Sequence, residues 1–311
     1  QAMQNAIATG AVQPTPWQGF ILTERTTQTG ARLGLVAVID LECYDYHKGS
    51  KSLVRATEET IESRIPPRMQ VRKDAMLETS HVLMLLDDPM HSVVEPLHEK
   101  RDELEKLYDF PLMMGGGHLT GYAVKDPADI QAVYAALDQL HARLDPANPL
   151  LFAVGDGNHS LATAKSCYEE LKSNNPGVDL SAHPARYALV ELENIHDPAQ
   201  QFEPIHRVIF DTDTDKLLKD IEKDICAEGG YPVKWYIGDK CGTVYLDRAK
   251  SELAVGVLQA YLDAWLKENK GEIDYIHDDD ALIALAAKEN AIGFLVPGME
   301  KSQLFRGVVS D

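Results

Sequence analysis

Cysteine is scarce in this chain of 311 residues. The four cysteines stand far apart at positions 43, 167, 226 and 241, and no two of them form a Cys-x-x-Cys pair. This spacing disfavours both a zinc site and a disulfide framework, and it is typical of reduced cysteines in a cytoplasmic protein. We therefore expect a cytoplasmic protein without a metal site of its own.

Positive charge and long apolar runs are scarce as well. Lysine and arginine number 30 against 49 acidic residues, so the formal net charge is −19 at pH 7. A field of that sign repels DNA, RNA and anionic membrane surfaces. No stretch approaches the ~18 apolar residues of a membrane span, and no charged-then-apolar signal segment opens the chain. We expect a small-molecule substrate or a nucleotide as partner, and neither nucleic acid nor membrane; a homodimer stays open.

The signature motifs of three common catalytic classes are missing. The chain has no Gly-x-x-x-x-Gly-Lys-[Ser/Thr] phosphate loop, and the Gly-x-Gly-x-x-Gly spacing fails after Gly157. It also lacks a Gly-x-Ser-x-Gly elbow. These absences disfavour a P-loop enzyme, a Rossmann dinucleotide site and a serine hydrolase.

The most informative stretch that is present covers residues 150–165. An apolar run predicts a buried strand that ends near Val154, and Ala-, Leu- and Lys-rich sequence predicts a helix to about Leu171. Between them stands the turn Gly155-Asp156-Gly157-Asn158-His159-Ser160. The first turn of a helix offers N–H groups and a positive dipole end to an anion, above all to phosphate.

This turn contains the groups that a phosphotransferase needs. Glycines on both sides of Asp156 would permit positive φ and close approach of a ligand. A carboxylate can hold Mg²⁺ or accept a proton, and nearby donors can hold phosphate oxygens. We nominate Asp156 and His159 as catalytic, and the other four residues as cofactor-binding: Gly155, Gly157, Asn158 and Ser160. The same pattern equally fits a plain strand-to-helix connection with Asn158 or Ser160 as N-cap.

A second candidate is a local basic cluster in this acidic chain: Lys48, Ser50, Lys51, Arg55 and Glu58. Lys51 and Arg55 could receive phosphates, and Glu58 is nominated as a catalytic base. We expect Arg55 and at least one of Lys48 and Lys51 to face the His159 turn. The alternative is a solvent-facing loop followed by the start of a helix.

The alternation of helical and strand patterns predicts an α/β fold (mixed α+β), with mixed sheets and helices on their faces. We expect two lobes, residues 1–125 and 126–311, and place the turn in the second. The predicted helices include residues 54–64, ended by Pro66-Pro67, then 71–78 and 93–108. The predicted strands include residues 19–23, 33–41, 82–86 and 119–124.

Six ordered motifs make the chain resemble the bacterial and archaeal family called domain of unknown function 1015. They lie at residues 37–42, 48–58, 64–68, 115–118, 155–160 and 203–207. More distantly, Asp156-Gly157-Asn158-His159 resembles the Asp-Gly-His-His-Arg signature of the ParB and sulfiredoxin-like superfamily. That resemblance implies a core of this type in one lobe and a turn that holds nucleotide phosphates.

This chain departs from both patterns. Asn158 stands at the first His position of the signature and Ser160 at the Arg position, so the bidentate phosphate contacts of an arginine are lost. Lys165, Arg55 or Lys51 would have to replace that arginine in space. The family's N-terminal Pro-Pro-Tyr-Asp-like segment and its continuation beyond residue 311 are not in this sequence.

Two functions of different classes are therefore carried forward. One is an enzyme, an ATP- or ADP-dependent kinase of small molecules that uses Mg²⁺. The other is a non-catalytic nucleotide or metabolite sensor. They differ in whether a carboxylate lies within ~3 Å of a substrate hydroxyl, and Glu42 and Glu58 are the nominees. A nucleic-acid module like the partition proteins is disfavoured by the net charge.

Overall fold

Two units, each with its own sheet and its own apolar core, make up the chain. The computed structural model describes residues 1–27, 30–57, 60–79, 82–202 and 204–310. One unit comprises Gln1–Gln201 and Phe305–Asp311, and the other comprises Phe202–Leu304. The boundary expected near residue 125 falls inside the first unit. The mixed α+β class is confirmed, since helices accompany a mixed sheet and an antiparallel one.

In the described part of the first unit, nine strands form one sheet. They are β1 (Phe20–Thr27), β2 (Gly30–Asp40), β3 (Tyr44–Asp45), β4 (Val54–Ala56), β5 (Val82–Leu86), β6 (Glu105–Pro111), β7 (His118–Val124), β8 (Phe152–Asp156) and β9 (Tyr187–Asn194). Their order across the sheet is β3-β4-β8-β5-β9-β2-β1-β7-β6. β3, β4 and β8 run parallel, as do β5 and β9. Since parallel neighbours end at the same edge of a sheet, the residues that follow β4 and β8 are brought together.

The second unit contains a smaller, antiparallel sheet. Its strands are β10 (His206–Phe210), β11 (Cys226–Ile237), β12 (Lys240–Leu246), β13 (Glu272–Ile276) and β14 (Ile292–Leu295), in the order β12-β11-β14-β10-β13. The core of this unit includes Ile209, Val233, Leu258 and Phe294, none of which has any exposed surface. Full burial of one such side chain stabilises a fold by about 1.5–3 kcal/mol.

The helices, in chain order, are α1 (Ala2–Ala8), α2 (Ile65–Arg72), α3 (Glu95–Glu99), α4 (Pro127–His141), α5 (Asn158–Asn174), α6 (Thr214–Asp224), α7 (Ala254–Trp265), α8 (Asp279–Ala286) and α9 (Lys301–Ser310). α5 packs on the sheet of the first unit through Leu161, Ala164 and Tyr168, which belong to the same core cluster as Val154 of β8. The helix is therefore anchored behind the strand that precedes it, and this fixes the turn between them.

Three of the predicted helices are wrong over part of their length. Residues 54–56 form the short strand β4 between β3 and β8, residues 73–78 follow the end of α2, and residues 105–111 form strand β6. For β4 and β6, strand pairing overrides the local periodicity. Pro66 and Pro67 begin α2 instead of ending a helix, because the first helical turn does not need their missing N–H groups.

Candidate functional site

The Gly-Asp-Gly-Asn-His-Ser turn connects β8 to α5 as the sequence predicts. β8 ends at Asp156 and α5 begins at Asn158. Gly157 lies between them as the N-cap, with φ +90° and ψ +21°, in the left-handed region. Glycine adopts this conformation without the steric cost that a Cβ would add. The N-cap is therefore a glycine and not Asn158 or Ser160, and no side chain of the N-cap residue closes the helix end.

The other glycine of the turn has a different role from the one expected. Gly155 lies inside β8 and is not among the residues with positive φ. A Cβ at this position would lie 2.9 Å from Cγ of Leu85 on the neighbouring strand β5. Gly155 is therefore needed for close packing between β8 and β5, and Gly157 alone supplies the left-handed backbone.

Asn158 joins the turn to the chain that follows β4. Its side chain is only 3% exposed, and its Oδ1 accepts a hydrogen bond from the N–H of Thr57 at 3.3 Å. The Thr57 hydroxyl in turn donates to the carbonyl of Val154 at 2.6 Å. These bonds tie the carboxyl ends of the parallel strands β4 and β8 together.

His159 makes a second connection to the same segment. Its Nε2 accepts a hydrogen bond from the N–H of Ile61 at 3.2 Å, so the ring is neutral in this arrangement and carries its proton on Nδ1. The segment after β4 is thus attached to the first turn of α5 at both Thr57 and Ile61. Glu58, the nominated base, stands between Thr57 and Ile61 in sequence and is outside the described residues.

The turn also presents a carboxylate to solvent. Asp156 is exposed, and its Oδ1 accepts the N–H of Gly157 at 2.6 Å. Ser160 is half-buried one residue beyond His159. An exposed carboxylate therefore stands beside the amino terminus of a helix of 17 residues.

The structure places the cationic nominees elsewhere. Arg55 is 5% exposed and donates through Nη1 to the carbonyl of Ser50 and through Nη2 to that of Pro149, both at 3.0 Å. Burial lowers its pKa. Both carbonyls precede strands, at the amino ends of β4 and β8, whereas the turn follows the carboxyl end of β8. Lys51 is exposed on the chain that leads into β4.

Lys165, the other proposed replacement for the missing arginine, is engaged on its own face of α5. Its Nζ donates to the carbonyl of Leu41 at 2.9 Å and lies 2.8 Å from the carboxylate of Glu169. The described contacts therefore direct Lys165 toward the end of β2 and not toward the turn.

The arginines at the start of α2, Arg64 and Arg68, are not among the site residues nominated from the sequence. Arg64 follows Ile61 by three residues, is exposed, and accepts a hydrogen bond at its carbonyl from Nη1 of Arg68 at 2.9 Å. α2 packs against α5. The Ile61–His159 bond thus brings the Arg64 segment to the turn. The sequence signal that could have identified these arginines is the motif at residues 64–68, whose two prolines were interpreted as the end of a helix.

Glu42, the second nominated base, lies away from the turn. Its Oε1 accepts the Tyr168 hydroxyl at 3.0 Å and the Nζ of Lys172 at 2.9 Å. Tyr168 and Lys172 follow His159 by 9 and 13 residues on α5, which corresponds to roughly 14–20 Å at 1.5 Å per residue. A carboxylate held there does not reach a group bound at the turn.

The histidine of the motif at residues 203–207 has a structural role in the second unit. His206 has no exposed surface. Its Nδ1 accepts the N–H of Val296 at 3.2 Å, and its Nε2 lies 2.6 Å from Oδ1 of Asp279. Arg207 donates through Nε to Oε1 of Gln259 at 2.9 Å.

A further polar edge lies where β5 and β9 end. His196 Nε2 lies 2.6 Å from Oδ1 of Asp87, and His91 Nδ1 lies 2.8 Å from Oε1 of Glu95. The Asn194 side-chain N–H₂ donates to that same Glu95 oxygen at 2.7 Å. These contacts connect the loop after β5 to the residues that follow β9. Over the residues that the structure describes, no cluster of three or more His, Cys, Asp or Glu side chains is arranged to hold a metal ion.

Comparison with known proteins gives a match over almost the whole chain. The family model described as "Protein of unknown function (DUF1015)" matches residues 1–303. No curated protein and no solved structure matches the chain. In the described ranges, no helix is long and apolar enough to cross a membrane.

Proposed function

Because the chain belongs to the DUF1015 family, whose description names no activity, we propose a function from the geometry of its turn. The protein binds the phosphates of ATP or ADP at the amino terminus of α5 and transfers a phosphoryl group to a small molecule. The observation that carries this proposal is the double attachment of the segment after β4 to the turn, through Thr57 to Asn158 and through Ile61 to His159. It joins the helix end and Asp156 to the segment that leads to Arg64, three residues after Ile61.

The anionic part of the ligand is held by the helix end and by Arg64. The positive dipole end of α5 and the N–H groups of its first turn favour phosphate, and Gly157 adds no side chain in front of them. Arg64 supplies the bidentate cation that the superfamily signature has at the position of Ser160. In a chain of net charge −19, such a local cation decides where an anion binds.

His159 positions the segment after β4 and offers its Nδ1–H to the ligand, since Nε2 is already engaged with Ile61. Asn158 is buried and holds Thr57, so its part is to keep the turn in shape.

Asp156 fits a Mg²⁺ ion that arrives with the nucleotide. Mg²⁺ is commonly held by one or two carboxylates together with substrate phosphates and water, and a single exposed carboxylate is what the turn provides. The bound ion would neutralise phosphate charge during transfer. Asp156 orients the ligand from its fixed place at the end of β8.

A second candidate function is a nucleotide sensor that binds without turnover. The position of Glu42 favours it, because the residues of α5 that hold this carboxylate lie roughly 14–20 Å along the helix from the turn. Asp156 itself is held by the N–H of Gly157 at 2.6 Å. As a sensor, the protein would bind phosphate at the turn without a base placed to accept a proton from a substrate hydroxyl.

Calorimetric titration with ATP and with ADP, each with and without Mg²⁺, tests the binding site. The wild-type protein is expected to bind at least one nucleotide. Arg64→Met and His159→Ala should each weaken binding by about 1.5–3 kcal/mol through loss of a charge-assisted hydrogen bond. Arg143→Met, which removes an exposed arginine after α4, is the matched control and should bind as the wild type does.

Phosphorus NMR of the wild type and of Asp156→Asn, with ATP, Mg²⁺ and a panel of small hydroxyl compounds, separates the two functions. Transfer to one compound, lost in Asp156→Asn, supports the kinase. Binding without transfer to any compound supports the sensor. If neither nucleotide binds the wild type at millimolar concentration, or if Arg64→Met, His159→Ala and Arg143→Met bind alike, the phosphate site is refuted.

A further inference from the structure

A groove of about 330 Å³ lies beside the carboxyl-terminal half of α5, within the first unit. Its walls are α5, the short 3-10 helix Leu41–Cys43 that follows β2, and the chain that runs from α5 toward β9. The volume is at the small end of the range of about 300–1,000 Å³ that is typical of ligand sites. The residues that carry the argument are Glu42, Tyr168, Lys172, Asp179 and Arg186.

Glu42 provides a fixed negative charge in this groove. The Tyr168 hydroxyl and the Lys172 ammonium both donate to the same oxygen, Oε1, at 3.0 and 2.9 Å. The hydrogen bond from Lys172 is the main reason why the pKa of Glu42 is lowered, although burial opposes it. The carboxylate is therefore ionised and held by one oxygen, and Oε2 is not used by either of these donors.

Arg186 provides a fixed positive charge. Its Nε and Nη2 donate to the carboxylate of Asp40 at 2.9 and 2.6 Å. This bidentate pair locks the plane of the guanidinium. Because Asp40 takes the edge formed by Nε and Nη2, the Nη1 side is the part that can meet a ligand. Asp40 is two residues before Glu42. The ion pair between Arg186 and Asp40 therefore holds Arg186 next to the segment that carries Glu42.

The charges of the lining balance. Glu42 and Asp179 are acidic, Lys172 and Arg186 are basic, and these four formal charges sum to zero, whereas the whole chain has a net charge of −19. A groove of this composition gives no net attraction to a polyanion such as a nucleotide. It can pair with a ligand that carries one group of each sign.

We propose that this groove binds a small zwitterionic molecule, with its ammonium on Glu42 and its carboxylate on Arg186. The site is distinct from the turn at the start of α5, since its residues Tyr168 and Lys172 lie roughly 14–20 Å along the helix from His159. Phosphoryl transfer requires reacting atoms about 3–3.5 Å apart. The groove therefore does not hold the acceptor of the proposed transfer, and it does not depend on that function.

The test is calorimetric titration of the whole protein with neutral α-amino acids of increasing size, from glycine to phenylalanine. Succinate and putrescine, which carry charges of a single sign, are the comparison probes. At least one neutral amino acid is expected to bind, and the two single-sign probes should bind at least about tenfold more weakly, the ratio that one lost charge-assisted contact gives.

Glu42→Gln should weaken binding of the zwitterion by at least about tenfold. Glu169→Gln is the matched control, because Glu169 also pairs with Lys172, at 3.3 Å, but does not line the groove. It should bind within about twofold of the wild type, a difference well below 1 kcal/mol. Arg186→Lys keeps the charge but loses the bidentate geometry, and should also weaken binding.

Three results would overturn the proposal. They are no binding of any amino acid at millimolar concentration, binding of putrescine or succinate as tight as that of the zwitterion, and equal affinities in Glu42→Gln and Glu169→Gln. A circular dichroism spectrum and melting temperature of each variant show whether it is folded, and a misfolded Glu42→Gln is replaced by Arg186→Lys as the deciding variant. Nucleotide is absent throughout, so a failure of the turn as a phosphate site leaves this result intact.

Discussion

The sequence shows that Arg55 is a cation, but it does not show which groups its guanidinium binds. A cation in an acidic chain predicts an anion site, yet this guanidinium is buried and holds the carbonyls of Ser50 and Pro149. Pro149 is 94 positions away in sequence. No local pattern reveals that contact, because it exists only once β4 and β8 pair.

This arrangement predicts a stability role for Arg55. Arg55→Met should lower the free energy of unfolding by about 2–4 kcal/mol, because two buried carbonyls lose a charged donor. Lys51→Met, at an exposed position four residues earlier, should change it by less than about 0.5 kcal/mol. Urea unfolding of both variants is the measurement. Equal midpoints for the two would show that Arg55 is not needed for the fold.

Glu193 is a second residue whose environment was hidden in the sequence. It lies on β9 with no exposed surface. Its Oε1 is 3.0 Å from Nε of Arg32, and Gln200 donates to its other oxygen. Burial, with smaller contributions from Glu191 and Asp197, raises the pKa of Glu193 to about 8 in spite of Arg32.

The raised pKa of Glu193 predicts a pH-dependent stability. Below its ordinary pKa of 4.5 the carboxyl is protonated in both the folded and the unfolded chain; between 4.5 and about 8 only the folded chain keeps the proton. Its contribution to stability is therefore fully present below pH 4.5 and is lost as the pH rises toward 8. Denaturant unfolding at several pH values should show a smaller decline over this window in Glu193→Gln. Parallel profiles of variant and wild type would exclude a neutral Glu193.

At the scale of elements, β8 and α5 could be predicted, whereas β4 and β6 could not. An apolar run marks β8, a long stretch with helical periodicity marks α5, and a turn with two glycines separates them. All three signals are local in sequence. β4 has three residues and exists because β3 and β8 flank it in parallel. β6 is an edge strand that depends on β7. The turn at residues 155–160 was therefore found from the sequence, but its attachment to Thr57 was not, because that bond joins positions 101 residues apart.

The left-handed N-cap of α5 gives an element-level prediction. Gly157→Ala should cost about 1–2 kcal/mol of stability, because a Cβ is disfavoured at φ +90°. It should also weaken nucleotide binding, because relief of that strain turns the first N–H groups of α5. Gly238→Ala, at φ +55° in the β11–β12 hairpin with open space around it, imposes comparable backbone strain far from the turn in sequence.

Thermal unfolding and calorimetric titration of the two glycine variants separate stability from binding. Gly157→Ala is expected to lower both, and Gly238→Ala to lower stability alone. An unchanged nucleotide affinity in a destabilised Gly157→Ala would mean that the N-cap shapes the fold but not a phosphate site.

At the scale of the whole molecule, the sequence predicts two units but not the residues at which they divide. Composition and length predict two cores, and the structure has two separate clusters of buried apolar residues. The chain of the second unit stands between two parts of the first, Gln1–Gln201 and Phe305–Asp311. Sequence patterns give the elements in order, but they do not show that the late segment Phe305–Asp311 belongs to the first unit, because only three-dimensional contacts carry that information.

Two cores predict two unfolding steps. Leu22 on β1 and Leu258 on α7 have no exposed surface, and each belongs to a different cluster. Leu22→Ala and Leu258→Ala should each cost about 2–5 kcal/mol, from lost burial plus the cavity left behind. In differential scanning calorimetry, each variant should lower the temperature of one transition and leave the other within about a degree or two, because independent sites add without coupling. A single transition that both variants lower equally would show instead that the two cores unfold as one cooperative system.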